Sequence, residues 1–272
     1  MKLSTKEKTR LQTKYGPWAL ITGASSGIGL ELAHQLAASG LHLILVARSK
    51  DKLRSLAQAL QSKYSIETQV IVADLSQPTT VEEIRHKTQN QSIGLLIASA
   101  GYGTSGLFHD SSLSEEINML RLNCEALMGL THHFVQRFRS QNRGGIILLS
   151  SMVAFQGVPY SAHYAATKAY VQSFAEGLAE ELKTQGVDVL AAAPGPVKSG
   201  FEARANMQMS MSLSPEQVGI PILKALGRKT TVLPGVLTKF LVYSLRTVPR
   251  WAKVKIMKAV MGGMTQHQRA KV

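Results

Sequence analysis

Cys124 is the only cysteine in 272 residues, so no disulfide can form within the chain, and a reducing, cytoplasmic compartment is expected. The N-terminal stretch is polar and lysine-rich where a secretory signal would need an apolar core. No uninterrupted apolar run reaches the roughly 18 residues of a spanning helix, so no segment is expected to cross a bilayer. Acids are scarce as well, 17 against 31 lysines and arginines, for a formal net charge of +14. The shortage is confined to the ends. Residues 1–14 carry five bases and one acid, and residues 217–272 carry eleven bases and no acid, which leaves 15 bases and 16 acids between them. Two readings of those ends stand side by side: a solvated basic surface, and attraction to an anionic partner such as a membrane face. Nucleic acid is not an expected partner, because the basic segments show neither a binding motif nor a ladder of stacking aromatics. No metal is expected.

What the chain has in plenty is alternation. Apolar segments of strand length, "WALITG", "LHLILVA", "TQVIVADL", "IGLLIASAG", "GGIILLSS" and "VDVLAAAPG", alternate with helical patterns such as 27–39 and 50–61. Runs that are apolar at consecutive positions argue a parallel sheet covered on both faces, and right-handed crossovers make it doubly wound. The expected fold is α/β and Rossmann-like, with about seven strands. One catalytic domain is expected over 17–235, with a basic arm at 1–16 and a basic amphipathic extension at 236–272.

Ligands in such folds bind beyond the carboxyl ends of the strands. There "ITGASSGIGLELA" puts Gly23, Gly27 and Gly29 between strand and helix, in a turn whose backbone N–H groups can approach a pyrophosphate. "SAHYAATKAY" puts Tyr164 and Lys168 on one helix face, where an ammonium can lower the phenol's pKa from about 10 and make it a proton donor and acceptor. Thirteen residues before the tyrosine, Ser151 ends an apolar strand at the ligand edge.

Together "TGASSGIG", Ser151, "YAATK" and "PGPVKS" make the chain resemble a one-domain short-chain dehydrogenase/reductase over about residues 18–199. The resemblance implies an NAD(P)-dependent oxidoreductase that interconverts a carbonyl and an alcohol by hydride transfer. It implies that Gly23, Gly27 and Gly29, with Ser25, Ser26 and Ile28, cradle the cofactor phosphates. Asp74 and Leu75 would flank the adenine, and Ala100, Gly101, Pro194, Gly195, Val197 and Ser199 would complete the cofactor site. Tyr164 would be the general acid in reduction, and Lys168 would hold the nicotinamide ribose and keep the tyrosine acidic. Ser151 would hydrogen-bond the substrate oxygen, and Asn123 would support the lysine through water. Ser150 is set aside by the 13-residue spacing of its neighbour. The family's "NNAG" stands here as Ala98, Ser99, Ala100 and Gly101, from which weaker support for the central strand and retained cofactor binding are expected. The resemblance also implies a homodimer or homotetramer, associating through helices at about 114–139 and 165–183.

At the end of the second apolar run, Ala47, Arg48 and Ser49 stand where an NAD enzyme would place an acid for the ribose 2′-hydroxyl, and Arg48 can pair with a 2′-phosphate. NADP(H) is therefore expected over NAD(H), the alternative for Arg48 being a solvated helix-start residue. Asp51 comes too late and suits the dipole of a first turn. "FEARANMQMSMSL" offers Phe201, Met207, Met209, Met211 and Leu213, either to close over an apolar or acyl carbonyl substrate or to pack on the core. His109 and His163 have no partner visible in the sequence and are read as structural. In "VLTKFLVYSLRTV", Leu237, Leu241, Leu245 and Val248 share a helical face expected to pack, with Lys239 and Arg246 on another. Pro249 ends or kinks that helix, and "WAKVKIMKAVM" is expected either to pack or to lie on an anionic bilayer. A non-catalytic NADP-binding sensor or scaffold is the alternative to an enzyme, and it would more naturally have lost one of the catalytic groups.

Overall fold

Seven parallel strands in the order β3-β2-β1-β4-β5-β6-β7 form the centre of the computed structural model, which describes residues 2–209 and 211–269. Met1, Ser210 and residues 270–272, which belong to the expected arm, substrate loop and extension, lie outside the described residues. The strands are β1 Trp18–Thr22, β2 His42–Ala47, β3 Thr68–Val72, β4 Ile93–Ala98, β5 Gly144–Leu149, β6 Val187–Ala192 and β7 Thr231–Val232. β4 and β5 are buried along their whole length, which explains apolar runs without alternation. Successive side chains instead divide between two cores: Ala19, Ile21, Leu43 and Leu45 enter one, and Leu20, Ile44 and Val46 the other.

The helices are α1 Thr5–Tyr15, α2 Gly27–Ala37, α3 Lys50–Tyr64, α4 Thr80–Lys87, α5 Leu113–Leu120, α6 Leu127–Ser140, α7 Ala162–Leu182, α8 Phe201–Arg204, α9 Pro215–Ala225, α10 Val236–Ser244, α11 Arg250–Met264 and α12 Gln266–Arg269. α1, α2, α3 and α9 cover the first core, while α4, α6 and α7 cover the second around the fully buried Phe134 and Phe138. Truncating either phenylalanine to alanine would cost about 3–5 kcal/mol. Chain order reverses between β1 and β4, so the crevice for a ligand opens there, beyond the strands' carboxyl ends.

The basic arm is not a solvated tail. Residues 5–15 form α1, capped by Ser4, whose hydroxyl accepts from the Glu7 amide. Leu11 and Tyr15, four apart and hence on one face, are fully buried. Arg10 donates to the Leu226 and Leu223 carbonyls at 2.8 and 2.7 Å, at the carboxyl end of α9, where a cation suits the helix dipole. Tyr15 donates to Asp188 at 2.6 Å.

Candidate active site

The glycine turn is tight because backbone crowds Gly23 and Gly29 and a side chain crowds Gly27. Gly23 has φ of +68°, and a Cβ there would sit 2.9 Å from the Ala100 backbone at the end of β4. Gly27 has φ of +55° and faces Ser199, whose Cβ would lie 3.0 Å from an added side chain. A Cβ on Gly29 would run into the Gly23 carbonyl. The loop after β6, with Pro194, Gly195, Val197 and Ser199, thus closes against the start of α2 and is held by an isolated bridge between Val197 and Leu213. Ser26 caps α2 in extended conformation with no side-chain cap bond, and the first-turn N–H groups of Gly27, Ile28 and Gly29 have no intrahelical carbonyl to meet. Ser25 lies in the same turn.

Arg48 follows β2 directly, exposed and in no ion pair. Asp74 follows β3 and accepts from the Ser76 amide and hydroxyl at 3.0 and 2.8 Å, which fixes the turn that buries Leu75.

The segment that stands for "NNAG" is tied to β1 by Thr22, which carried no expectation from the sequence. Thr22, at the end of β1 and 1% exposed, accepts from the Ser99 and Ala100 amides at 3.1 and 3.0 Å. A lone hydroxyl ending the apolar run "WALIT" was the available signal.

Ser151, Tyr164, Lys168 and Asn123 converge from three elements. Ser151 follows β5 by two residues, with its hydroxyl accepting from the Val153 amide at 3.4 Å. Tyr164 and Lys168 lie on α7, both nearly buried. Lys168 Nζ donates to the Leu149 carbonyl at 2.8 Å, and Ser150 donates to the Lys168 carbonyl at 3.0 Å, which gives Ser150 a structural job behind the site. Asn123 is wholly buried in a single π-helical stretch, Arg121–Ala126, between α5 and α6, a wide turn of the kind found at functional sites. Its amide donates to the Tyr102 carbonyl at 2.9 Å and to Thr167 Oγ1 at 3.0 Å, while its Oδ1 accepts from the Tyr102 amide at 3.2 Å. Asn123 and Lys168 meet over Gly101: a Cβ there would lie 2.9 Å from Asn123 Oδ1 and 3.4 Å from Lys168 Nζ.

Residues 17–210 match the family model described as short chain dehydrogenase. The chain is a short-chain dehydrogenase/reductase. It is 30% identical over 234 residues to a 7beta-hydroxysteroid dehydrogenase of Collinsella aerofaciens, covering 83% of this chain and 88% of the relative. It is 35% identical over 187 residues to a very-long-chain 3-oxoacyl-CoA reductase of Meyerozyma guilliermondii, covering 65% of this chain and 55% of that protein. Its backbone superposes on a short-chain dehydrogenase from Sphingobium yanoikuyae in complex with NADPH with a TM-score of 0.80 and 29% identity, over 89% of this chain and 96% of the other. The chain is thus an NAD(P)-dependent oxidoreductase of this family, and its residues fit a dinucleotide: a turn that excludes side chains, a helix N-terminus behind it, and a buried ammonium beside Gly101.

Electrostatics of the dehydrogenase differ from the sequence expectation. Burial pushes Tyr164 up to about 12, against a lowering influence of the Ser151 hydroxyl. The ammonium stands 5.8 Å from the centre of the tyrosine ring. Burial pushes Lys168 itself down to about 8, with Cys124 opposing weakly. Desolvation outweighs the charge–dipole contact on both groups.

Tyr164 is roofed by Phe201, ring centroids 5.3 Å apart. Beside them Met207, Met257 and Met261 are buried with Val158, Ala165 and Ala205, and Met209 and Met264 pack against this cluster. Leu213 packs instead on the first core, and Met211 is 69% exposed. The methionines of α11 were not expected here. Nor was a partner for His163: its Nδ1 lies 2.6 Å from Glu116 Oε2, which also accepts from Thr104. His109 is exposed, 3.5 Å from Asp110.

Proposed function

We propose that this dehydrogenase reduces bulky apolar ketones to secondary alcohols with NADPH. The observation that carries the reading is Tyr164, buried beneath Phe201 and beside a packed methionine-rich cluster while backed by Ser151 and Lys168. Methionine and phenylalanine surfaces suit irregular apolar skeletons. The activities named for the relatives, on a hydroxysteroid and a 3-oxoacyl-CoA, agree with a carbonyl or alcohol on such a skeleton.

When bound, the nicotinamide cofactor supplies the hydride. The chain supplies the rest. Gly23, Gly27, Gly29 and the N-terminus of α2 would hold its phosphates, Arg48 would pair with a 2′-phosphate, and Asp74 with Leu75 would border the adenine. Ser151 Oγ hydrogen-bonds the carbonyl oxygen and strengthens its hold as negative charge develops there. Tyr164, protonated well past neutral pH, gives its Oη proton to that oxygen as the carbon gains the hydride, so an alcohol leaves and a phenolate remains to be reprotonated from solvent. Lys168, charged below about pH 8, compensates the phenolate. Asn123 fixes the Tyr102–Thr167 contacts that hold α7 beside Gly101. Phe201 excludes water from the tyrosine.

The same reading includes a reducing, cytoplasmic setting, in which Cys124 stays a thiol that burial pushes up to about 11. It also includes self-association through α5, α6 and α7, whose Leu113, Ile117, Leu120, Met128 and Tyr170 are exposed. Turnover of a panel of bulky and small ketones with NADPH tests the function. Tyr164→Phe should keep cofactor affinity and lose about a hundredfold or more in turnover; near-normal turnover would overturn the assignment.

A further inference from the structure

The C-terminal extension wears its apolar side chains outward. Among the described residues 17 large apolar side chains are exposed, and eight of them fall between Val236 and Val260, far more than an even spread over the chain would put there. α10 was expected to pack through Leu237, Leu241, Leu245 and Val248. It turns instead on Thr238 and Val242, the two residues of the helix that are buried. Thr238 fits against Gly195, where a Cβ would lie 2.7 Å from its hydroxyl, and Val242 packs with Ala193 and Leu233 beside Met152 and Phe155. That register leaves Val236, Leu237 and Phe240 on the opposite side of the helix and Leu241 on its flank, with Val236 84% and Phe240 66% exposed. Five residues past α10, α11 begins with Arg250 and Trp251, the latter 66% exposed.

Charge accompanies this surface. Lys239, Arg246, Arg250, Lys253, Lys255 and Lys258 form no ion pair; among the described residues after Glu216, the one base so paired is Arg228, with Glu7. Arg246 stands 4.6 Å from the centre of the Tyr243 ring and Lys255 5.1 Å from that of Trp251. Cations laid over aromatic rings, beside bare aliphatic side chains and with no acid in the segment, match the boundary between lipid headgroups and acyl chains. A second copy of the chain matches poorly, because a two-fold contact through this face would set its cations against themselves. No described helix is long and apolar enough to cross a membrane.

We propose that α10 and the first turns of α11 form an interfacial docking surface for bilayers containing anionic lipid. The surface lies at the ligand edge of the sheet, since α10 rests on Gly195 and α11 carries Met257 and Met261 of the cluster beside Tyr164. On the reductase reading given above, substrate dissolved in the bilayer would meet the Tyr164 edge without crossing bulk water, but docking itself does not depend on that reading.

The test is sedimentation of the full chain with phosphatidylcholine vesicles, with and without phosphatidylglycerol, with tryptophan emission read in parallel. Pelleting is expected only with phosphatidylglycerol at low salt, with release at about 0.5 M salt and a blue shift of emission that Trp251→Phe removes. Arg246→Gln and Lys255→Gln should each weaken binding roughly fivefold, and Phe240→Glu with Trp251→Glu should abolish it. NADPH turnover of a water-soluble ketone by the same variants separates lost docking from a lost fold or a failed reductase assignment. Retention of the wild type in the supernatant would overturn the proposal, as would equal pelleting with phosphatidylcholine alone. So would light scattering showing that the Phe240→Glu, Trp251→Glu pair dissolves a lipid-free oligomer, which would give the face to a second copy.

Discussion

Arg48 is exposed, one residue past β2 and without an ion-pair partner among the described residues, while Asp51, the nearest acid in sequence, sits in the first turn of α3. A 2′-phosphate would supply the missing anion, so Arg48→Asp should weaken NADPH binding far more than NADH binding. Cofactor fluorescence titrations measure both, and equal losses would remove Arg48 as the reader. Lys168 sets a pH limit. Its folded value, pushed down to about 8 by burial, means the ammonium is present below that pH and lost as pH rises through it. Reduction should hold level near neutrality and fall above about pH 8, with Tyr164 adding no limb there because burial keeps it protonated to about 12. The unfolded chain keeps the lysine proton up to about 10.4, so between about pH 8 and 10 it binds more protons than the folded one, and this group's contribution makes stability rise with pH. Lys168→Met should abolish both the alkaline limb in kcat/KM and that rise in urea unfolding.

Among the elements, α1 is held by chemistry that titrates at the other end of the scale. Burial works to raise the Glu7 carboxyl, but the Arg228 and Arg10 guanidinia outweigh it and hold the group below its ordinary range. The stabilisation is therefore present above about pH 4.5 and lost as pH falls through the depressed folded value. Glu7→Gln should cost about 2 kcal/mol near neutrality, measured by urea unfolding, and the difference from wild type should vanish in acid. The six long strands were legible because a sheet buried on both faces leaves continuous apolar runs; β7, two residues long, leaves no such run. α1 was misread because Leu11 and Tyr15 are its only fully buried side chains and lie among bases. The rotation of α10 was invisible for a related reason: periodicity reports which face is apolar, while the face that packs was selected by the space above Gly195. At the site, Tyr164, Lys168 and Ser151 were readable from spacing. Thr22, the π turn around Asn123 and the Glu116–His163 contact belong to tertiary structure and have no local pattern to announce them.

For the molecule as a whole, α5, α6 and α7 present Leu113, Ile117, Leu120, Met128 and Tyr170 to solvent on a monomer, and a dimer would bury them. Light scattering at micromolar concentration should report a dimer or tetramer, and Ile117→Glu should shift it to monomer; a monomeric wild type would contradict this. The docking of α1 has one more consequence, for the order in which the protein is made. Arg10 reaches carbonyls 213 and 216 residues further along the chain, so α1 leaves the ribosome long before its seat exists. At synthesis rates of about 5–20 residues per second the wait is roughly 10–40 s. During it Tyr15 can meet β4 and β5 but Arg10 has no carbonyls to reach, so the seat of a helix that emerges early in synthesis is completed among the last.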